Sequence, residues 1–386
     1  MARNSVGSVI ERSCRRLLGP HWVKIITCVI LAAWPTASLA IGPLPEQCIP
    51  PECDWVVHVD TERLAKAHAL KPVFDALTAS AMGASLAEMG IDATMDVTTI
   101  TMFGTIARSP DAPGETTTVL QGGPALRAAI LQHVERHDGY TLMLRRSSQA
   151  DGRNIDAWTI DGLSIHIALV PMSAAQGDTG EHDLIAVLSD NAERLRANID
   201  NLLAQPRSSS GPQPGADWSS NPGALAVPSP WEHPTSVLHE RQPPVGSVIF
   251  ACARNLNESQ PPPSSGLLAS ARNMVAHFGY RDDEGEITVF AGLELEGHER
   301  ADMDTVVSSF NHMIDYWSDR IAERSRLQPE MLTMLPIIKA CHVTKEDRIV
   351  RLRLERKILS TASADSPSNP SREGGTERKP RDSKGQ

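Results

Sequence analysis

The 386 residues contain no glycine loop able to cradle a phosphate, no G-x-S-x-G elbow and no H-E-x-x-H helix. Each of those motifs works through a fixed spacing, backbone amides around an anion or two imidazoles on one helix face. Their absence weighs against nucleotide hydrolases, serine hydrolases and the common zinc proteases. Basic residues are also in deficit, with 37 Lys and Arg against 47 Asp and Glu, and no compensating basic stripe occurs. Such a chain repels phosphate backbones, so nucleic acid is not an expected partner. Only one apolar run stands out, from Ile25 to Trp34. It is shorter than the roughly 20 residues a membrane-crossing helix needs.

That run follows a polar stretch carrying Arg3, Arg12, Arg15, Arg16 and Lys24, and precedes Pro35 and the tripeptide Ser38, Leu39, Ala40. A basic region, an apolar region and a small-residue site in this order predict a secretory signal peptide over residues 1–40, cut after Ala40. Lys24 and Pro35 disfavour an uncleaved anchor, and Cys28 lacks the context of a lipoprotein site. Removing residues 1–40 leaves 32 basic against 46 acidic residues, a net charge of −14. The expected mature protein is exported, periplasmic or extracellular, and has no transmembrane segment.

The remaining chain is long enough for about two domains. Residues 205–244 hold nine prolines, seven serines and three glycines, the composition of a linker or long surface loop, in which Trp218 and Trp231 are unusual. The tail from 360 to 386 is polar and without apolar spacing, hence expected to be disordered. Between a Cys/Pro-rich start at 41–53 and the linker, residues 54–204 read as one α+β module. Its first strand places Trp55, Val57 and Val59 on one face, Asp60 or Thr61 caps a helix, and Pro72 opens a second helical piece. Strands over 96–104 and 115–121 follow, then a helix from Pro124 with Leu126, Ile130 and Val134, and a strand with Tyr140, Leu142 and Leu144. Asp151-Gly152 and Asp161-Gly162 predict hairpin turns that extend the sheet, and Asn191 caps a helix ending near Ala204.

After the linker, residues 245–359 repeat that order. A strand at 246–253, a short helix near Leu267, a hairpin around Asp282 to Gly285, a long helix with Met303 to Ile321 at helical spacing and a hairpin across Lys345 to Asp347 are expected. Element order therefore predicts two ferredoxin-like, split β-α-β modules with mostly antiparallel sheets, the first extended by hairpin strands.

Four cysteines remain in the mature chain: Cys48, Cys53, Cys252 and Cys341. In an oxidising compartment an even count favours disulfides, and four cysteines allow three pairings. Cys48 and Cys53 flank the Pro50-Pro51 turn, which makes a local bridge the simplest pairing and leaves Cys252 with Cys341. Candidates for chemistry are sparse. His133 and His137 share one helix face and form a weak zinc candidate, or else they close a helix end where an imidazolium is favoured. His58 and Asp60 share a strand face without an identifiable nucleophile. Glu294, Glu296, Glu299, Asp302 and Asp304 cluster at a strand-to-helix junction, which calcium binding or simple helix-start stabilisation would explain. His233 and His239 lie in the Pro-rich stretch, where a metal site would have to order a mobile loop. No cofactor is expected.

WVVHVD at the first strand, MGIDATMDVTTITMFG from Met89 to Gly104, TTTVLQGGPALRAAILQHV ending at Val134 and PVGSVIFACA from Pro244 to Ala253 together resemble a group of exported proteins from planctomycete-type bacteria. The resemblance implies export and two α+β modules, and it supplies no active-site residue. The reading that follows is a non-enzymatic extracytoplasmic protein that binds a protein or cell-envelope partner. The alternatives are a metal-assisted hydrolase using His133, His137 and a carboxylate, and a periplasmic carrier holding an apolar ligand between sheet and helices.

Overall fold

The computed structural model describes residues 48–67, 71–106, 114–148, 154–161, 165–171, 184–204, 236–239, 241–256, 270–283, 286–299, 301–324 and 335–359. The expected signal peptide, the Asp151-Gly152 turn, the helix near Leu267, Trp218, Trp231, His233 and the tail lie outside them.

The strands are β1 (Trp55–Asp60), β2 (Val97–Gly104), β3 (Thr116–Gly122), β4 (Thr141–Ser148), β5 (Asn154–Asp161), β6 (His166–Pro171), β7 (Leu184–Ser189), β8 (Ser247–Ala253), β9 (Ala271–Asp283), β10 (Glu286–Gly297), β11 (His342–Glu346) and β12 (Ile349–Leu359). Helices α1 (Thr61–Lys66), α2 (Lys71–Thr78) and α3 (Ala81–Glu88) join β1 to β2. Helix α4 (Pro124–Arg136) follows β3, α5 (Ala192–Ala204) follows β7, and α6 (Met303–Arg324) and α7 (Leu335–Ile338) lie between β10 and β11.

All twelve strands form one sheet in the order β11-β12-β10-β9-β8-β1-β2-β3-β7-β6-β5-β4. Every pairing is antiparallel. The mixed helix-and-strand class and the antiparallel sheet match the expectation; the split β-α-β arrangement does not. A split unit sets its first strand inside its own module beside a parallel neighbour. Here β1 pairs β2 on one side and β8, the first strand of the second half, on the other. Element order is blind to which edges meet, and an unpaired β1 or β8 edge would leave a row of amides and carbonyls without partners. Joining them removes both edges.

Local signals explain most elements. Asp60 caps α1, its carboxylate accepting the Arg63 amide at 2.9 Å. Asn191 caps α5 through the Glu193 amide at 2.9 Å, and Pro124 opens α4. Helix α3 is an addition to the sequence reading. Ser80 caps it, and Met82, Leu86 and Met89 follow at helical spacing, a signal present in the chain but diluted by Ala and Gly83.

The sheet separates two apolar layers. One face carries the larger core, covered over the first half by α1 to α4 and over the second by α6 and α7. The other face carries a smaller core built on β1, β2, β3, β6, β7 and β8, covered by α5 through Leu195 and Ile199, by residues 48–53, and by Val237 and Leu238. Val237 and Leu238 are buried, so the described end of the Pro-rich stretch is core. No described helix is long and apolar enough to cross a membrane.

Candidate functional site

Strand β10 places Val289, Ala291, Leu293 and Leu295 on the helix-covered face. Val289 and Leu295 are fully buried, yet Ala291 and Leu293 between them are only half-buried. Helix α6 mirrors this. Met303, Val306 and Phe310 at its start and Ile321 near its end are buried, whereas Met313, Ile314 and Trp317 between them are half-exposed. The helix grips the sheet at both ends and stands off it in the middle.

The space so left is a small apolar crevice, with about 30 Å³ of room for the centres of water-sized molecules. Its floor is the cross-strand block of Ala291 and Leu293 on β10 with Leu354 and Leu352 on β12, paired in that order. Its roof is Met313, Ile314 and Trp317, and Ile338 and Cys341 close one side. Ala291 is flanked by Phe278 and Leu354, so a single methyl between two large side chains opens the floor. The lining offers no charged side chain, and its one thiol, Cys341, is pushed up to about 11 by burial. That group is neutral near pH 7. Two residues past Leu354 on the same face, Arg356 donates from Nη1 to the Pro336 carbonyl of α7 at 2.7 Å. Its guanidinium keeps donors beyond that one bond, two residues along the strand from the crevice lining. A chain of methylenes ending in an anion is the chemistry this surface suits.

The residues singled out in the sequence do not converge here. His133 is 8% exposed and faces the core, and His137 follows as the residue closing α4, with ring centroids 4.5 Å apart. Burial first, then His137 and Arg136, pushes His133 down to about 4. The expected imidazolium at the helix end is therefore a neutral ring, because desolvation outweighs the helix-end field. Among the described residues no group of three metal-ligating side chains exists. His58 meets Thr101, Nδ1 to Oγ1 at 2.7 Å, inside the sheet. Four of the five acidic residues resolve into partnerships: Glu294 with Arg351 at 2.7 Å, Glu296 with Asn273 at 2.7 Å, Asp304 with Lys345 at 2.7 Å, and Asp302 capping α6 through the Thr305 hydroxyl and amide. The Thr305 bonds hold the Asp302 carboxyl below its usual range.

All four described cysteines are free thiols. Cys48, Cys53 and Cys252 lie in the smaller core, whereas Cys341 packs against the larger one. The Cys252–Cys341 pairing expected from the sequence fails because the sheet lies between the two. Cys341 also immediately precedes β11, which lies four steps from β8 in the order, roughly 19 Å at about 4.8 Å per step.

No family model matches the chain, and no curated protein matches it. Among solved structures it is similar to one described as crystal form I of TP0453, at 12% identity over 82% of this chain and 94% of that chain, with a TM-score of 0.33. A likeness at that level carries no argument about function.

Proposed function

We propose that this is a non-enzymatic, exported binding protein that takes the hydrocarbon chain of a fatty acid between α6 and the sheet, with the carboxylate at Arg356. The observation that carries the reading is the matched loss of burial in the middle of β10 and of α6, in the interior of otherwise closed elements. Natural cores leave few such gaps. Each methylene transferred from water contributes about 0.8 kcal/mol, so four or five covered carbons suffice for a weak, reversible complex. The crevice is narrow, which favours one unbranched chain over a ring system. The metal-assisted hydrolase has less support, since His133 is buried and no third ligand accompanies the pair among the described residues.

The test is calorimetric titration of the mature chain with dodecanoate and with dodecanol. Saturable binding of dodecanoate is expected, abolished in Ala291→Phe, which fills the floor. Arg356→Gln should weaken dodecanoate about tenfold and leave dodecanol unchanged, the scale of one exposed charge-assisted bond. Bound dodecanoate should also slow the reaction of Cys341 with a thiol reagent. Undiminished binding by Ala291→Phe would rule the reading out.

A further inference from the structure

The strand registers run in unbroken rows across the helix-covered face. One row is Leu188, Thr118, Met102, Val57, Ala251, Ala276, Leu293 and Leu352. The next is Ala186, Leu120, Ile100, Val59, Ile249, Phe278, Ala291 and Leu354. Because β1 and β8 are antiparallel, a half-turn about a point between these rows at the β1–β8 seam exchanges the two halves. It carries β10 onto β3 and β12 onto β7. Ala291 and Leu354 then fall on Thr118 and Leu188, and Leu293 falls on Leu120.

A second apolar crevice lies at that place. Thr118, Leu120 and Leu188 belong to its floor, and Met82 and Leu86 of α3 with Met89, the residue closing that helix, form its roof. The two crevices open on the same side of the sheet, five strand steps apart, roughly 24 Å. Two differences separate them. The floor position held by Ala291 is here Thr118, 9% exposed, whose hydroxyl has no hydrogen-bond partner among the described residues. The position of Arg356, two residues past Leu354, is here Asp190, two residues past Leu188. Oδ1 of Asp190 is buried without a hydrogen-bond partner among the described residues. Two residues beyond a leucine of its crevice floor, one half therefore sets a cation and the other a carboxyl.

We infer that the first half holds a second ligand site under α3, for a single-chain amphiphile whose head group donates hydrogen bonds, a primary amine, with Asp190 and Thr118 as its acceptors. The inference rests on the reading of the α6 crevice as a chain-binding site. It goes beyond it in giving the two halves different head-group preferences, anionic in the second and donating in the first. The Asp190 carboxyl sits above its usual range through burial, with Glu115 adding to the shift and Arg194 and a Thr116 amide opposing it. An incoming ammonium would therefore pull it toward ionisation.

The experiment titrates the full mature chain with dodecylamine after saturation by dodecanoate. One further equivalent of amine is expected, unaffected by Ala291→Phe. Asp190→Asn should weaken the amine about tenfold without touching dodecanoate. Thr118→Val, which keeps the shape and removes the hydroxyl, should weaken it in the same direction. Dodecyltrimethylammonium has the charge but no donor and should bind at least about tenfold more weakly. Equal binding of that quaternary salt would overturn the inference, since general attraction to an acidic protein would then explain the amine. Amine that competes one for one with dodecanoate would overturn it too, as would dodecanoate binding with no amine binding; both leave the α6 site standing. Failure of both ligands to bind would overturn the two readings together.

Discussion

The two halves of the sheet share a strand plan and differ in cover. In the first half β1, β3 and β7 are buried along their whole length, because α1 to α4 lie on one face and α5, residues 48–53 and residues 236–239 on the other. In the second half β12 alternates: Val350, Leu352 and Leu354 are buried beneath the helices while Arg353 and Glu355 are exposed on the opposite face. That face is a field of paired charges, with Arg351 between Glu294 and Glu346 and Arg281 against Glu355. A strand covered twice reads as a continuous apolar run, and a strand covered once as an alternation. Burial on both faces of β1, β3, β7 and β8 therefore makes the middle of the sheet the stability-determining part, and the outer strands of the second half the more tolerant.

The largest expected effect tests that asymmetry directly. Phe103→Ala, in the smaller core of the first half, should cost about 3–5 kcal/mol in urea unfolding. Val275→Ala lies at the margin of that core, half-buried, and should cost about 1 kcal/mol. Similar costs for the two would erase the distinction between covered and open sheet.

Acid should come next. His277 in the second half is pushed down to about 4, by burial first and by the Arg353 guanidinium second, against the pull of Glu294. His133 in the first half behaves alike. Both folded-state values lie below the ordinary one near 6.5, so the unfolded chain takes up protons first. Their contribution is intact above about pH 6.5 and is lost as pH falls toward 4, on the order of 1–3 kcal/mol each. Urea midpoints at pH 7, 5.5 and 4.5 measure it, and His277→Asn should remove part of the fall; a variant that falls as steeply as the parent would exclude His277 as a source.

A smaller effect is expected at Gly292, where an added Cβ would come within 2.3 Å of the His277 ring. Gly292→Ala should cost about 1–2 kcal/mol through displacement of that ring, and the cost should vanish in the background of His277→Ala. A cost that persists there would point to the β10 backbone as the source. Least of all, Arg351→Ala on the charged face should leave the urea midpoint nearly unchanged, and the small effect should shrink further at high salt. A larger loss would mean that this open face contributes more than exposed ion pairs do.

Much of this molecule was legible along the chain because the signals are local. The Asp60 and Asn191 caps, the Pro124 helix start, the apolar spacing of α6 and the alternation in β10 and β12 each act within a few residues. Helix α3 was weaker, since Ala and Gly dilute its apolar stripe. The candidate crevices left no trace in any motif. A gap arises where Ala291 meets Phe278 and Leu354 and where α6 lifts between its two anchored ends, and that depends on residues from four separate elements. Nor did spacing reveal that Cys252 and Cys341 lie on opposite sides of a sheet.

What the sequence by itself determined is the set of elements and the side of each strand that turns inward, because hydrophobic periodicity and capping are properties of neighbouring residues. Tertiary structure alone decided that the two halves join through β1 and β8 into one sheet, and with it the half-turn that sets Arg356 opposite Asp190 in equivalent places. The reason is that edge pairing is made by backbone amides and carbonyls common to every residue, so which edges meet is settled by the fold as a whole.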